Sequence, residues 1–259
     1  MGIPLRTHLL AAALLSVPTL VRSQEMAPPE HYKLRLEYVR WFPSLTGELQ
    51  KGAGDVPGTL VDLKDDLGIE DHSSNELKAV LRLGGRAKLR AAYTPLDYDG
   101  DVIASRPFLF DGTFFRKDAQ TVTSLKGALW SGDFGFDVLR GGWGYLGLLV
   151  GARVLDVDAV IVQPTEGRRE TGTLQAPVPV LGVSGRLYVG RISLSAEISG
   201  LTIGSRGTLY DAEGHARYHL TDRLAVGGGF RLLSVRGEDG NDFIKLRDQG
   251  ARVVLELSL

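Results

Sequence analysis

Residues 32–38 read YKLRLEY, a segment in which apolar and charged side chains alternate without a break. Aromatic and leucine side chains occupy the even positions, and Lys33, Arg35 and Glu37 occupy the odd positions between them. In a β-strand successive side chains point to opposite faces, whereas in an α-helix the side-chain direction repeats after about 3.6 residues. The period of this segment therefore predicts a strand with one apolar and one polar face.

The same alternation recurs to the end of the chain. Residues 192–199 read ISLSAEIS and residues 253–259 read VVLELSL, each with apolar side chains at every second position. Ten such segments can be counted, at about residues 31–49, 75–84, 86–110, 113–140, 143–162, 173–189, 191–203, 206–219, 222–236 and 243–258. The sequence therefore predicts an all-β protein, an antiparallel up-and-down transmembrane β-barrel of about ten strands, with eight or twelve also compatible with the spacing.

Connection lengths favour a membrane barrel over a soluble sandwich, which would show the same alternation. Four junctions are very short: Gly84–Gly85, 140–144, 189–191 and 221–222. Longer connections alternate with them along the chain: 51–73, 163–172 and 237–242. Short turns at one end and longer loops at the other are typical of bacterial outer-membrane barrels.

Aromatic residues predict two belts where the strands leave the membrane. One belt lies beside the short turns: Tyr32, Trp143, Tyr145, Tyr188 and Tyr218. The other lies about one membrane thickness away along the strands: Tyr38, Trp41, Tyr93, Trp130 and Tyr210.

The segments at 86–110 and 113–140 are each more than twice the roughly 9–11 residues with which a tilted strand crosses a membrane. They predict a tall hairpin that closes at Asp111–Gly112 and projects outward. Four aromatic residues would crowd its exposed tip: Phe108, Phe110, Phe114 and Phe115. Exposed apolar clusters usually mark a contact surface.

The first 23 residues have the pattern of an export signal. Arg6 and His8 precede the apolar run 9–21, which is too short to span a bilayer as a helix, and small residues follow at a cleavage-type spacing. We interpret residues 1–23 as a signal peptide and residues 24–259 as the barrel, and we predict localisation in the cell outer membrane. The mature part contains no apolar stretch of 18 residues, which excludes a helical membrane protein.

Composition excludes several functional classes. The formal net charge is -1 and no run of Lys or Arg exceeds two, so a nucleic-acid partner is not expected. There is no cysteine, which excludes disulfides, thiolate catalysis and cysteine-ligated zinc. The 33 glycines, close to twice the usual share of about 7%, predict many tight turns and close strand contacts.

The opening strand HYKLRLEYVRW (31–41) and the closing strand QGARVVLELSL (249–259) resemble small bacterial outer-membrane β-barrels of the OmpA-like and OmpW-like kind. The resemblance covers nearly all of the mature chain, is architectural and includes no unique motif. Such barrels usually end on an aromatic residue that the assembly machinery reads, whereas this chain ends on Leu259. The resemblance implies outer-membrane lipid and the barrel-assembly machinery as partners, and a conduit for small or apolar solutes as one role.

Charged residues on the polar faces of the strands predict a lumen rich in both signs of charge. These positions are Lys33, Arg35, Glu37, Lys78, Arg82, Lys88, Arg90, Lys126, Asp133, Asp137, Arg153, Arg186, Glu197, Asp211, Glu213, His215, Arg217, Arg231, Arg252 and Glu256. A ten-stranded barrel is only slightly wider than the eight-stranded size that side chains fill, so these groups are expected to interlock as ion pairs. Seven of them form the candidate site, a lumen charge network: Glu197, Glu213, His215, Arg217, Arg231, Arg252 and Glu256.

A narrow polar passage is the alternative. The 20 positions include twelve Lys or Arg against seven carboxylates, an excess that would favour anions. Glycines on the lumen face, Gly227 and Gly229, are expected to relieve crowding at the curved wall rather than to bind phosphate.

No catalytic, cofactor or metal site is predicted. Asp71, His72 and Ser73 bring a carboxylate, an imidazole and a hydroxyl together in a long loop, but adjacent residues of one extended segment cannot line up as a catalytic relay. The acidic residues Asp62, Asp65 and Asp66 lack the glycine and terminal glutamate of a calcium-binding loop and predict a solvated turn.

We therefore expect a non-enzymatic outer-membrane barrel, structural or acting as a narrow conduit. Two alternatives remain: an outer-membrane enzyme, lipid-modifying or proteolytic, with its active site at the outer rim, and a soluble periplasmic β-protein. The residues indicate neither a solute nor an oligomeric state.

Overall fold

The computed structural model describes residues 30–203 and 207–259, so the predicted signal peptide and the turn at 204–206 lie outside the described residues. The strands are β1 (Leu34–Gln50), β2 (Val61–Asp62), β3 (Ser74–Gly84), β4 (Ala87–Ile103), β5 (Phe108–Phe110), β6 (Thr113–Phe115), β7 (Gln120–Gly141), β8 (Gly144–Gln163), β9 (Arg168–Val189), β10 (Ile192–Ile203), β11 (Gly207–His219), β12 (Leu224–Asp239) and β13 (Asp242–Ser258). Within the described ranges the helical structure is one 3-10 turn, Pro164–Glu166, and no helix is long and apolar enough to cross a membrane.

All strands except β2, β5 and β6 build one antiparallel wall in which neighbours in sequence are neighbours in space. The wall closes because β13 pairs with β1 along its full length, from Arg35 opposite Ser258 to Gln50 opposite Phe243. The expected all-β, closed barrel of ten strands is confirmed. The start of the described chain and the C-terminal Leu259 lie together at the end with the short turns, where the Lys33 N–H donates to the Leu259 carbonyl. This end is called the turn end below, and the opposite end is called the loop end.

The alternation in sequence separates the two faces of the wall. On β10, for example, Leu194 and Ile198 point outward and are 49% and 58% exposed, whereas Ser193 and Ser199 point inward and are buried. An outward apolar face combined with a buried polar interior is the reverse of a soluble protein and is the arrangement of a barrel in lipid.

The aromatic belts are only partly as predicted. Near the turn end, Trp143 and Tyr218 face outward, but Tyr32 is buried inside and Tyr188 hydrogen-bonds within the lumen. Tyr145 also lies inside, beneath the ammonium group of Lys88. Near the loop end the outward residues are Tyr38, Tyr93, Trp130 and Tyr210, whereas Trp41 is fully buried. Trp41, Tyr145 and Tyr188 lie on the inward face of their strands, which overrides their membrane-interface preference, whereas Tyr32 precedes β1 and is not bound by its alternation.

The wall has uneven height. Strands β8 and β9 contain 20 and 22 residues, but β10 and β11 contain only 12 and 13. Pairing of β9 with β10 ends where Leu181 lies opposite Gly200, and beyond this point β9 pairs with β8 alone. Pro177 and Pro179 lie on this free edge, where a missing N–H interrupts no ladder. A notch therefore opens in the wall above the β10–β11 hairpin.

The predicted tall hairpin is wrong as a continuous element. Strand β4 of the wall ends at Ile103 and strand β7 begins at Gln120. Between them, β5 and β6 form a separate small hairpin. Its turn is at Asp111–Gly112 as expected, with positive φ at both residues. The hairpin folds inward over the barrel mouth, because burying its aromatic side chains is more favourable than exposing them.

Residues 51–73 and 104–119 together form a lid over the loop end. The Thr59 N–H donates to the Leu109 carbonyl at 2.7 Å and so joins the two halves of the lid. Of the four aromatic residues expected at an exposed tip, only Phe114 is exposed. The apolar core beneath the lid comprises Leu45, Val61, Leu63, Leu67, Ile69, Tyr98, Phe108, Phe110, Phe115 and Ile161. Connections 164–167 and 240–241 are shorter than expected. The two lid segments, 51–73 and 104–119, therefore supply most of the structure at the loop end.

Candidate functional site

The lumen between the turn end and the lid is filled by charged side chains. All seven residues of the predicted lumen charge network project into it, because they occupy inward positions on β10, β11, β12 and β13. Of these, Arg231, Arg252 and Glu256 are at most 3% exposed. A charge buried to this degree requires partners, because an unpaired charge in a low-dielectric interior costs roughly 3–5 kcal/mol.

One part of the network surrounds Glu76 on β3. The Arg231 guanidinium donates to Glu76 at 2.6 Å and to both carboxylate oxygens of Asp211 at 2.8 Å. Arg252 contacts Glu76 at 2.5 Å with one nitrogen and Glu213 with another. Glu213 also accepts from a lysine ammonium group on β3 at 2.6 Å. Carboxylates and cations thus alternate across the lumen.

A second part surrounds Glu256 near the C-terminus. Arg186 donates to its two oxygens at 3.0 and 2.8 Å, a bidentate geometry that fixes both groups. Arg35 and Arg217 each lie 3.2 Å from the same carboxylate. Arg217 also donates to Glu37 at 2.9 Å. Glu256 therefore contacts cations from strands β1, β9 and β11.

Glu197 does not pair with the arginines of β11 and β12 in the predicted lumen charge network. Arg90 of β4 donates to it from across the lumen. Arg153 of β8 lies 3.8 Å away and donates to Asp133 at 2.6 Å. The register along neighbouring strands does not predict these partners, because long side chains meet across the barrel rather than along its wall.

His215, predicted to belong to the lumen charge network, is buried but forms no ion pair within the described residues. Its ring lies against Gly229 on the next strand, where a Cβ atom would come within 2.5 Å of the ring carbon Cδ2. The expected relief of crowding by this lumen-facing glycine is therefore visible in the geometry.

Two carboxylates of the network were missed by the sequence analysis. Glu76 is fully buried at an inward position of β3. Glu30 precedes the first strand with φ of 81°, and its side chain enters the turn end of the lumen. There it contacts Arg35 at 3.3 Å and Lys88 at 3.5 Å, and it accepts a hydrogen bond of 2.7 Å from Tyr188. Glu30 thus adds a buried carboxylate to the turn end of the lumen.

The charge of the lumen is nearly balanced, unlike the basic excess expected from sequence. Lys33 and Lys126 are exposed and do not belong to the lumen. Within the described part of the chain, ten cations and nine carboxylates pair there: Arg35, Lys78, Arg82, Lys88, Arg90, Arg153, Arg186, Arg217, Arg231 and Arg252 with Glu30, Glu37, Glu76, Asp133, Asp137, Glu197, Asp211, Glu213 and Glu256.

Little space remains between these side chains. A cavity of about 70 Å³ lies within the network, beside Arg90, Ser131, Ser195 and His215. A water molecule needs at least about 10–15 Å³, so this volume holds a few water molecules. Several buried nitrogens have no hydrogen-bond partner among the residues that the structure describes, for example Nη1 of Arg90 and Nε2 of His215, and such waters would satisfy them.

The lid is fastened to itself and to the wall by polar contacts. Arg106 donates to Asp66 at 2.8 Å, Lys64 donates to Asp71 at 2.8 Å, and Lys51 of the lid donates to Asp242 at 2.7 Å. The hydrogen bonds from Arg106 lower the pKa of Asp66 below its usual value. Asp62 caps a turn by accepting from the Lys64 and Asp65 N–H groups, so these acidic residues serve the local fold.

The loop-end segment 71–73 is not assembled as a catalytic relay. Asp71 accepts from Lys64 and from the Leu45 N–H, and Ser73 accepts from Arg40. His72 is exposed and contacts neither side chain of its neighbours by a hydrogen bond. Across residues 30–203 and 207–259, no group of three His, Asp or Glu side chains could hold a metal ion.

Comparisons with known proteins show the fold. No protein-family model matches the chain, and no curated protein matches it in sequence. The outer-membrane protease OmpT from Escherichia coli superposes with a TM-score of 0.53 at 11% identity, covering 92% of this chain and 99% of OmpT. The translocator domain of the autotransporter NalP from Neisseria meningitidis gives 0.42 at 13% identity, covering 89% and 90%. A FadL homologue from Pseudomonas aeruginosa gives 0.33 at 10% identity, covering 86% and 89%.

The solved structures that this chain is similar to are outer-membrane β-barrels, as the sequence resemblance implied. At these identities the likeness concerns architecture alone. A shared fold does not by itself assign the protease activity of OmpT to this chain.

Proposed function

We propose that this protein is a non-enzymatic outer-membrane barrel with a closed lumen, which serves the cell envelope as a structural element. The observation that carries the proposal is the lumen charge network, in which Arg231, Arg252 and Glu256 are buried and paired. Paired charges at this packing density leave no path for ions, because a permeating ion would have to displace them.

Both ends of the lumen support the same reading. At the turn end, Glu30 and Tyr32 lie inside the barrel, and the Tyr32 ring stacks under the Arg35 guanidinium at 3.9 Å. At the loop end, the lid buries Phe108 and Phe115, whose rings stack at 4.8 Å. An ion entering from either side would meet a packed layer before it reached the network.

Location in the outer membrane is part of this proposal. From the turn end to the level of the outward aromatic residues near the loop end, the outward face of the wall is mainly apolar, and strands of 11 residues or more suffice to cross a bilayer when tilted. We assign the turn end to the periplasm and the loop end to the cell exterior. Outer-membrane lipid and the barrel-assembly machinery are the partners that this assignment implies. The protein should fractionate with outer membranes and migrate differently on gels before and after heating.

Single-channel recording tests the closed lumen. The wild-type protein in planar bilayers should give no steps of current, and the paired substitution Phe110→Ala and Phe115→Ala, which loosens the lid, should also give none because the charge network below remains. Glu30→Ala with Arg231→Gln disrupts the network itself and serves as the opening control. Regular current steps from the wild-type protein would reject the proposal.

A second candidate function is lateral passage of an apolar solute through the notch above β10 and β11. Inward-facing Leu174 on β9 is 37% exposed because no strand covers its flank there. Leu155 and Leu233 form an apolar layer at this level of the lumen. Uptake of a small hydrocarbon into vesicles, compared between the wild type and Leu174→Asp, tests this role independently of ion current.

A further inference from the structure

The outward face of β12, β13 and β1 changes from apolar to polar and then to cationic toward the loop end. In the first row, Ala251 lies between Phe230 and Phe42, which are 51% and 50% exposed. In the next row Gln249 lies between Leu232 and Ser44. Adjacent strands lie about 4.8 Å apart, so each row places three side chains side by side.

Above these rows the face becomes polar and then cationic. Arg247 lies between the hydroxyl residues Ser234 and Thr46, and Lys245 lies between Arg236 and Glu48. Gln249 is ten residues from the C-terminal Leu259, which matches the roughly 9–11 residues of a tilted strand within the bilayer. The cationic rows therefore stand at the level of the outer lipid headgroups.

The cations of these rows form only weak ion pairs within the protein. Lys245 lies 3.6 Å from Glu48 and Arg236 lies 4.0 Å from Glu238, and the side chains of both cations are more than half exposed. Exposed pairs of this kind are worth about 0–1 kcal/mol and do not hold their partners against a competing anion. Within the described residues Arg247 forms no ion pair, so its guanidinium is available.

The opposite side of the barrel has the reverse charge at the same level. Its outward positions there carry Asp97, Asp99, Asp101, Asp156 and Asp158, with Lys126 as the cation among them. Lys126 lies 3.7 Å from Asp97. An anionic headgroup is therefore repelled from β4–β8 and attracted to β12–β13, and this asymmetry selects one side of the circumference.

We propose that the outward face of β12, β13 and β1 binds a phosphorylated lipid of the outer leaflet. The phosphate sits against Arg247 and Arg236, with the hydroxyls of Ser234 and Thr46 beside it. One acyl chain lies over Ala251, in the depression between the rings of Phe230 and Phe42. A lipid is favoured over a free anion because the apolar depression continues directly below the cations. This site lies outside the lumen and goes beyond the proposed function.

Native mass spectrometry of the folded barrel in detergent, titrated with bisphosphorylated lipid A, tests the site. One cation near a membrane surface changes the affinity for an anionic lipid about fivefold. Arg247→Gln should therefore weaken binding about fivefold, and the double variant Arg236→Gln with Arg247→Gln about 25-fold. Lys126→Gln, which removes the cation on the acidic side, is the matched control and should leave affinity unchanged. Heat-modifiable migration verifies folding of each variant.

Two further measurements separate a lipid from a free phosphate. Ala251→Trp fills the depression and should weaken lipid A binding severalfold although it removes no charge. Inorganic phosphate in millimolar excess should not displace the lipid. Equal losses for Arg247→Gln and Lys126→Gln, unchanged binding in Ala251→Trp, or displacement by phosphate would each overturn the proposal.

Discussion

Arg231 and Glu76 meet across the lumen with a nitrogen–oxygen distance of 2.6 Å, although two other strands, β13 and β1, separate β12 from β3 in the wall. The pair therefore connects parts of the barrel that share no backbone hydrogen bond. Arg252 contacts the same carboxylate from β13. Side chains inside the barrel thus add cross-links that the sheet itself lacks.

Arg231→Gln should destabilise the barrel by about 3–5 kcal/mol, because Glu76 and Asp211 lose their shared cation while they remain buried. Urea unfolding in lipid vesicles measures the change. Arg236→Gln on the same strand removes an exposed cation and should change stability by no more than about 0.5 kcal/mol. Unchanged stability together with an ion current that is already present in the wild type and altered in Arg231→Gln would support a wet passage in place of the closed lumen.

Gly229→Ala and Gly228→Ala should differ, although the two residues are adjacent. A Cβ at Gly229 would lie 2.1 Å from the Gly214 carbonyl oxygen and would crowd His215, whereas at Gly228 the nearest atom, the Arg252 carbonyl oxygen, is 3.5 Å away. Overpacking of this kind typically costs about 1–3 kcal/mol. We expect that loss for Gly229→Ala and near-neutral stability for Gly228→Ala in urea unfolding. Comparable losses at both positions would show that the faces of β12 are misassigned.

Ala196 and Ser195 test the two faces of β10. Ala196 points to lipid, so Ala196→Leu should be tolerated and Ala196→Arg should cost about 2–4 kcal/mol in the middle of the bilayer. Ser195 points inward and accepts a hydrogen bond of 2.5 Å from Arg217, so Ser195→Leu should destabilise by roughly 1–3 kcal/mol. Unfolding in vesicles gives both values, and the opposite order for the two leucine variants would refute the orientation.

The Asp66–Arg106 contact should make the lid sensitive to acid. The hydrogen bonds from Arg106 lower the pKa of Asp66, so its stabilising contribution is complete above the usual carboxylate pKa of about 4 and is lost as pH falls through the lower folded value. Amide NMR spectra should therefore show residues 60–68 changing below about pH 4 while the wall strands keep their shifts. In Arg106→Gln this acid transition should move up toward the ordinary carboxylate range. An identical transition in both proteins would assign it to other groups.

The wall was predictable because a period of two in sequence maps directly onto two faces in space. Glu76 was also within reach, since it lies two residues before Lys78 on the same face of β3, and the alternation needed only to be extended. The prediction that Lys126 faces the lumen was wrong and avoidable. Asp133 and Asp137 face inward on β7, and Lys126 lies an odd number of residues from both, so it faces outward.

Glu30 and the lid were beyond this reasoning. Glu30 lies outside the regular strands with a positive φ, so no period fixes where its side chain points. The lid forms because residues 51–73 and 104–119, which are distant in sequence, bury each other's apolar side chains. Alternation within one segment contains no information on such contacts. For the same reason the partners of Glu197 across the lumen could not be read from neighbouring strands.

The distribution of charge along the chain has a consequence for the order of assembly. Glu256 and Arg252 belong to the final strand, yet their partners Arg35 and Glu76 belong to the first strands of the wall. A nascent sheet that lacks β13 would hold Arg35 and Glu76 without these counter-charges. Incomplete intermediates therefore carry an electrostatic penalty that disappears only at the last step, and this favours full closure over release of an open sheet into the bilayer.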